Sequence, residues 1–213
     1  MDENIMVLKS PKNENACIRI ISGHFVTKHS HVNTYIDHSL IKTQHVNARE
    51  TAITLAEEFM TNTMVEAIVC LKNTEMIGGF MADALADPSS ISLSAGNNIG
   101  VITPEFDSQG HIFFRENKLP FLVGKQVLIF IDSMSSGIMT HQTIESVRYY
   151  GGILCGAAAV FSAISKVAGF EVKSVFTSGD LPNYQTYKMH ECPLCQAGQK
   201  IDGIVNSFGY AKF

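Results

Sequence analysis

The chain predicts an α/β fold, a doubly wound parallel sheet with a small hood, on three observations. Val127 to Ile131 is a continuous apolar run without alternation, the pattern of a parallel strand buried on both faces. The segment from Gln126 to Phe161 reads as strand, small-residue loop, helix and second apolar run, which is a βαβ unit. Elsewhere, short apolar runs alternate with stretches of helical spacing, as a doubly wound sheet requires.

The elements follow in order. The opening MDENIMVLKSPKNENA is polar and is expected to be a tail of about 15 residues. Ile18 to Phe25 and Thr34 to Ile36 form an amino-terminal element. Val46 to Met60 is an amphipathic helix through Ala48, Ala52, Leu55 and Phe59. Val65 to Leu71 is the first core strand, and Met76 to Ala86 is its helix, stopped by Asp87-Pro88. Ile99 to Thr103 and His111 to Arg115 flank a glycine-containing turn at Asp107 to Gly110, which predicts a strand followed by a mobile hairpin over the site. After the Val127 strand, Ile144, Val147 and Thr140 recur at helical spacing until Gly151-Gly152. Ile153 to Phe161 and Val172 to Thr177 supply two late strands. Residues 16–213 are expected to make one domain, with the hood drawn from 16–45 and 178–213.

Composition narrows the function. The 213 residues are 46% hydrophobic, enough for one sizeable core. A net charge of -4 without a long basic run excludes a nucleic-acid surface as the expectation. No stretch approaches the ~20 apolar residues of a membrane span, and the amino terminus lacks the apolar core of a signal peptide. A cytoplasmic protein is expected. Five cysteines, three of them scattered at Cys17, Cys70 and Cys155, suit reduced thiols better than a disulfide framework.

Asp132 stands at the carboxyl end of the Val127 strand, and Ser133 to Gly137 behind it are small or hydroxyl-bearing apart from Met134. Such a loop lets backbone N–H groups and hydroxyls converge on an anion as the next helix begins, which points to a phosphorylated ligand. Ligands of open α/β sheets sit at the carboxyl ends of the strands, where this loop lies. The same composition also suits an ordinary strand-to-helix connection with a serine N-cap.

The segment resembles the ribose-phosphate motif of type I phosphoribosyltransferases, in which an apolar strand ends in two acids followed by a Thr/Ser-Gly loop. GHFVTKHSHVNTYID at Gly23 to Asp37 is similar to the amino-terminal element of orotate phosphoribosyltransferases. HIFFREN at His111 to Asn117, with the Gly-Lys pair and VLIF strand behind it, is similar to that family's flexible hairpin. ECPLCQAG at Glu191 to Gly198 is similar to a Cys-Pro-Leu-Cys tail of one branch. The series runs through most of the chain in the family's order.

The resemblance implies displacement at the anomeric carbon of phosphoribosyl pyrophosphate by a nucleobase such as orotate, with Mg²⁺ accompanying the pyrophosphate. It assigns the 5-phosphate to Ser135, Ser136, Gly137 and Thr140 beside Ser133, and the ribose hydroxyls to Asp132. Pyrophosphate falls to Lys72, Asn73, Thr74 and Glu75, and the base to Phe25, Lys28 and His141. Lys28 and Arg115 join Asp132 as catalytic residues, Arg115 closing from the hairpin within one chain or across a homodimer. Three positions depart from the family: Ile131 replaces an acid, His141 replaces an arginine, and the Lys72 to Glu75 loop is more charged and less glycine-rich than usual. They leave a second class open, a regulatory homologue that binds phosphoribosyl pyrophosphate or a nucleotide without turnover.

His190, Cys192 and Cys195 form a separate group. A Cys-x-x-Cys turn presents two thiolates to one ion, but structural Zn²⁺ takes four ligands. A fourth could come from another histidine, Cys17 or Cys155; the alternative is a reduced Cys-Pro turn packing the tail. The histidines at 24, 29, 31, 38 and 45 are too irregular for a helix-borne metal pair and are expected at the surface or as caps.

Overall fold

The structure is a computed structural model and describes residues 5–28, 30–206 and 209–212. In chain order the elements are β1 (Ile5–Lys9), β2 (Cys17–Val26), β3 (His31–Asp37), α1 (Ser39–Thr43), α2 (His45–Ala56), β4 (Ala67–Cys70), α3 (Glu75–Ala86) and β5 (Gly100–Ile102). Then come β6 (Glu105–Phe106), β7 (Ile112–Phe113), β8 (Gln126–Met134), α4 (Ile138–Tyr149), β9 (Ile153–Ser162), β10 (Lys166–Val167) and β11 (Phe170–Thr177). The chain ends in β12 (Thr186–Tyr187), α5 (Pro193–Gln196), β13 (Gly203–Asn206) and β14 (Gly209–Lys212).

The core sheet runs β10-β11-β9-β8-β4-β5, parallel throughout except for the short β10. Counting its parallel strands along the chain, the spatial order is 2-1-3-4-5. Chain direction across the sheet therefore reverses between β4 and β8, a switch point where the connecting loops part and leave a crevice. Both strands are apolar throughout their shared length because both faces are covered. Ile68, Cys70, Leu128 and Phe130 face α2 and α3, packing with Leu55, Ile77, Met81 and Leu85. Val69, Val127, Ile129 and Ile131 face the other way, onto Ile144 and Val147 of α4.

The second sheet runs β12-β3-β2-β13-β14, with β1 added beside β2. Its β2–β3 hairpin slips register between Ser22 and Phe25, so Gly23 and His24 together oppose Asn33. That bulge frees the His24 N–H, which the Asp202 carboxylate accepts at 2.7 Å. Phe25, Val32 and Tyr35 form a small apolar patch on this sheet, joined by Tyr210, while Ile18, Ile20 and Ile36 of the same two strands pack into the main core.

The expected strands and helices of the core appear within a few residues of their sequence boundaries. The segment read as a polar tail differs, since Ile5–Lys9 pairs antiparallel with β2 over its whole length. Ser133 also differs: β8 continues to Met134 in register with β9, so the turn before α4 shortens to Ser135, Ser136 and Gly137. His29 lies outside the described residues.

Helix α3 comes close to the sheet at Gly78, where an added Cβ would overlap the Cys70 sulfur. Gly78→Ala should therefore cost about 1–3 kcal/mol in urea denaturation. Cys70→Ala on that background should recover most of the loss, because it removes the overlapping atom; equal stability of the single and double variants would show that the contact is not the cause.

Candidate functional site

Two loops meet at the switch point. The loop after β4 is shaped by Thr74, which is buried and donates its hydroxyl to the Leu71 carbonyl at 2.9 Å. Lys72 and Asn73 take left-handed conformations at φ 56 and 59 without being glycine. Each such residue stores about 1–2 kcal/mol of strain, and adjacent pairs persist where the surroundings enforce them. Glu75 opens α3 and accepts a hydrogen bond from Thr103 at 3.0 Å. Its negative charge suits the helix N-terminus but repels a pyrophosphate, so of the four expected residues Lys72 and Asn73 are the ones presented.

Asp132 is 5% exposed and faces this loop from the end of β8. Lys42 of α1 donates to its Oδ2 at 2.6 Å, and the Lys72 ammonium stands 3.7 Å from Oδ1. Lys42 also donates to the Lys72 carbonyl at 2.8 Å, so one ammonium ties α1, the strained loop and β8 together. Burial opposes the Asp132 charge more than any other single effect, yet His38, Lys72 and Lys42 together outweigh it and hold the carboxyl below its usual range. His38 is itself fully buried beside them, and burial pushes it down to about 4. It is neutral at neutral pH, which leaves the two lysines as the charges that keep Asp132 ionised. The His38 Nε2 has no hydrogen-bond partner among the described residues. Asp37 sets the start of α1 by accepting the Ser39 N–H at 2.9 Å while Arg19 binds its other oxygen.

The turn into α4 presents Ser135 and Ser136 to solvent, and Gly137 supplies its left-handed corner at φ 72. A Cβ there would lie 2.6 Å from Ile164 Cδ1. Thr140, expected at the phosphate, lies on the buried face of the helix in line with Ile144 and Val147, and its enclosed hydroxyl has no hydrogen-bond partner among the described residues. Ile131 is 2% exposed and packs under α4, on the opposite face of β8 from Asp132. The position where the family carries an acid is core here.

Other expected residues lie elsewhere. Phe25, expected at the base, is 2% exposed and packs between Tyr35 and Tyr210. Lys28 is exposed at the β2–β3 turn, whereas Asp132 lies beside His38 beyond the other end of β3, roughly 20 Å along the strand. Arg115 forms a double hydrogen bond with Glu105 inside its own hairpin, at 2.6 and 2.7 Å. The hairpin rests on α4, where Ser146 donates to the Ile112 carbonyl at 3.0 Å. Between them an open cleft is lined by Gly110, His111, Ile112, His141, Glu145 and Tyr149, so His141 is exposed there in the first turns of α4. Lys42 and His38 were missed by sequence reasoning; neither carries a motif, and only the fold brings them to Asp132.

The cysteine group is corrected in one member. His190 is exposed and contacts Glu191, its chain neighbour. Cys192 and Cys195 instead meet His24 and His31, with ligand atoms all within 4.8 Å of one another. These histidines are buried on paired strands rather than at the surface, because cross-strand pairing joins positions that helical spacing does not.

Two outcomes follow from the Asp132 cluster. Lys42→Met should cost about 3 kcal/mol at neutral pH by leaving a buried carboxylate short of a partner, with most of it recovered in Lys42→Met/Asp132→Asn. Additive losses in chemical denaturation would show the pair is not coupled. For His38, the unfolded state binds a proton that the folded state refuses between pH 6.5 and about 4. Its contribution is thus present above pH 6.5 and lost as the pH falls through that window, by about 3 kcal/mol. His38→Leu should flatten this slope, and an identical slope in both proteins would refute the assignment.

No family model and no curated protein matches the chain. Solved structures do. A phosphoribosyltransferase from Corynebacterium diphtheriae is 18% identical with a TM-score of 0.54, covering 76% of this chain and 90% of its own. An orotate phosphoribosyltransferase from Mycobacterium tuberculosis, in complex with Fe(III) dicitrate, is 17% identical with a TM-score of 0.53 over 76% of this chain and 90% of its own. The same enzyme in complex with 5-phospho-α-D-ribosyl 1-diphosphate is 15% identical with a TM-score of 0.52 over 70% and 83%. The strand order, the switch-point loops and these likenesses give one conclusion: the chain has the fold of the type I phosphoribosyltransferases.

Proposed function

We propose that the protein binds phosphoribosyl pyrophosphate at the switch point and transfers its phosphoribosyl group to a nucleobase, releasing pyrophosphate, with orotate the first base to test. The observation that carries this reading is the placing of three parts at the carboxyl ends of the neighbouring parallel strands β4 and β8: the strained Lys72–Asn73 loop, Asp132 between two lysines, and the Ser135–Gly137 turn that opens α4. A neighbour in fold was solved with this pyrophosphate compound.

In this reading Ser135, Ser136 and the first N–H groups of α4 hold the 5-phosphate. Lys42 and Lys72 exchange the Asp132 carboxylate for pyrophosphate oxygens, and the freed carboxylate accepts the ribose hydroxyls. The lysines then neutralise the leaving group while the dry strand ends shield the cation-like carbon. His141 and Lys28 are the remaining base-side candidates, and Arg115 would have to leave Glu105 to reach a ligand, either in its own chain or across a homodimer. Before a ligand enters, both Asp132 oxygens face lysines, so the described residues make no Mg²⁺ site of their own, and Mg²⁺ would come with the pyrophosphate.

A second reading, binding without turnover, is favoured by Ile131. It leaves Asp132 as the sole carboxylate of the two-acid motif. Losing one charge-assisted contact to the ribose is worth ~1.5–3 kcal/mol, or about one to two powers of ten in rate.

Calorimetric titration with phosphoribosyl pyrophosphate should give a binding signal that Ser135→Ala/Ser136→Ala weakens by about 10- to 100-fold, since these exposed hydroxyls contribute to phosphate affinity and not to the core. Pyrophosphate release with orotate or another base would establish turnover; binding without release from any base would select the second reading. Absence of binding at millimolar ligand would sink both. A monomeric mass by light scattering would remove Arg115 from any role across subunits.

A further inference from the structure

We infer that His24, His31, Cys192 and Cys195 form a tetrahedral zinc site that clips the carboxyl-terminal segment onto the β2–β3 hairpin. The four ligand atoms converge on one point. His24 Nε2 lies 3.0 Å from His31 Nδ1 and 3.6 Å from each cysteine sulfur, and the Cys195 sulfur lies 3.4 Å from His31 Nδ1. Ligand bonds of about 2.0–2.3 Å at tetrahedral angles separate the ligands by about 3.3–3.8 Å, so the group is close to the right size for Zn²⁺. Two imidazoles and two thiols are the donor set that selects zinc over Mg²⁺ or Ca²⁺. Both cysteines are free of disulfides.

The surroundings orient the ligands as a metal site needs. The Gln199 carbonyl stands 3.0 Å from His24 Nδ1 and can only accept, so Nδ1 carries the proton and the Nε2 lone pair points at the other three groups. The Gly23–His24 bulge aims that ring, and Asp202 fixes its backbone by accepting the His24 N–H at 2.7 Å and donating its own N–H to the His24 carbonyl at 2.8 Å. Cys192 and Cys195 flank Pro193 at the start of α5, a turn that directs both sulfurs to one side. His24, His31 and Cys192 are buried while Cys195 is exposed, which leaves an entry path from solvent.

The hood gives the clip a purpose. Its apolar patch is small, and β13 pairs with β2 through two residue pairs, Gly203 with Phe25 and Ile204 with Val26. A carboxyl-terminal segment so sparsely joined to β2 gains from a metal cross-link, because metal binding free energy becomes folding free energy. The clip does not depend on phosphoribosyl chemistry.

The test is metal analysis of the full chain expressed with added zinc, with Co²⁺ exchanged into it as a spectroscopic probe. About one zinc per chain is expected, and Co²⁺ should give the visible bands and thiolate charge transfer of a tetrahedral thiolate site. Cys195→Ser, at an exposed position, should weaken zinc affinity by more than the roughly 10–100-fold typical of losing an outer partner, while His190→Ala should leave it unchanged. A chelator should lower the melting temperature of the wild type and not of Cys195→Ser. A metal-free wild type whose Co²⁺ spectrum shows no thiolate ligation would overturn the site. So would equal metal loss in His190→Ala and Cys195→Ser.

Discussion

A carboxylate buried where the sheet changes direction sets the terms for the rest of the candidate site. Asp132 cannot stay ionised in that position without Lys42 and Lys72, and Lys42 cannot reach it unless α1 sits against the β4 loop. The desolvation cost of such a group is several kcal/mol, so its partners are positioned as strictly as core side chains. An anionic ligand entering here meets lysines already committed, and its affinity is the difference between the two pairings. The left-handed Lys72–Asn73 pair adds a second constraint, since its carbonyl geometry is held by the same ammonium. Charge balance and backbone strain at this edge are therefore one coupled quantity.

The alternation of β8 explains why a local departure from the family pattern has a structural cause. Ile131 and Asp132 are neighbours in sequence but belong to opposite sides of the sheet, one sealing α4 and the other facing α2, α3 and the lysines. An acid at 131 would enter the apolar layer beside Met134, Ile144 and Val147. The chain has accordingly closed that layer and kept the carboxylate on the other face.

Much of the core was legible because its signals are local. The unbroken run at Val127 to Ile131, the helical stripe of Thr140, Ile144 and Val147, and the stop at Asp87-Pro88 each follow from periodicity or from proline stereochemistry. The turn at Ser135 to Gly137 was legible for the same reason, although the strand before it extended through Ser133 by pairing with β9, which no local pattern encodes. Lys42, His38 and the His24–His31 pair were not legible. Their chemistry arises from contacts across 90 residues in one case and across a bulged hairpin in the other. Thr140 and Phe25 fit the ligand pattern and the apolar pattern equally well, and both are buried in the structure.

β3 joins the two candidate sites. His31 begins it among the cysteines, and His38 follows its last residue beside Asp132. A strand fixed only by an apolar stripe can slide by two residues and keep its inner face; one anchored by specific polar groups at both ends cannot. The hood's alignment is thus written in heteroatoms at the two ends of β3 as well as in the hydrocarbon of Ile18, Ile20 and Ile36. A deletion or insertion anywhere between His31 and His38 would have to sacrifice one end to preserve the other, which makes the length of this short strand, more than its composition, the feature least free to vary.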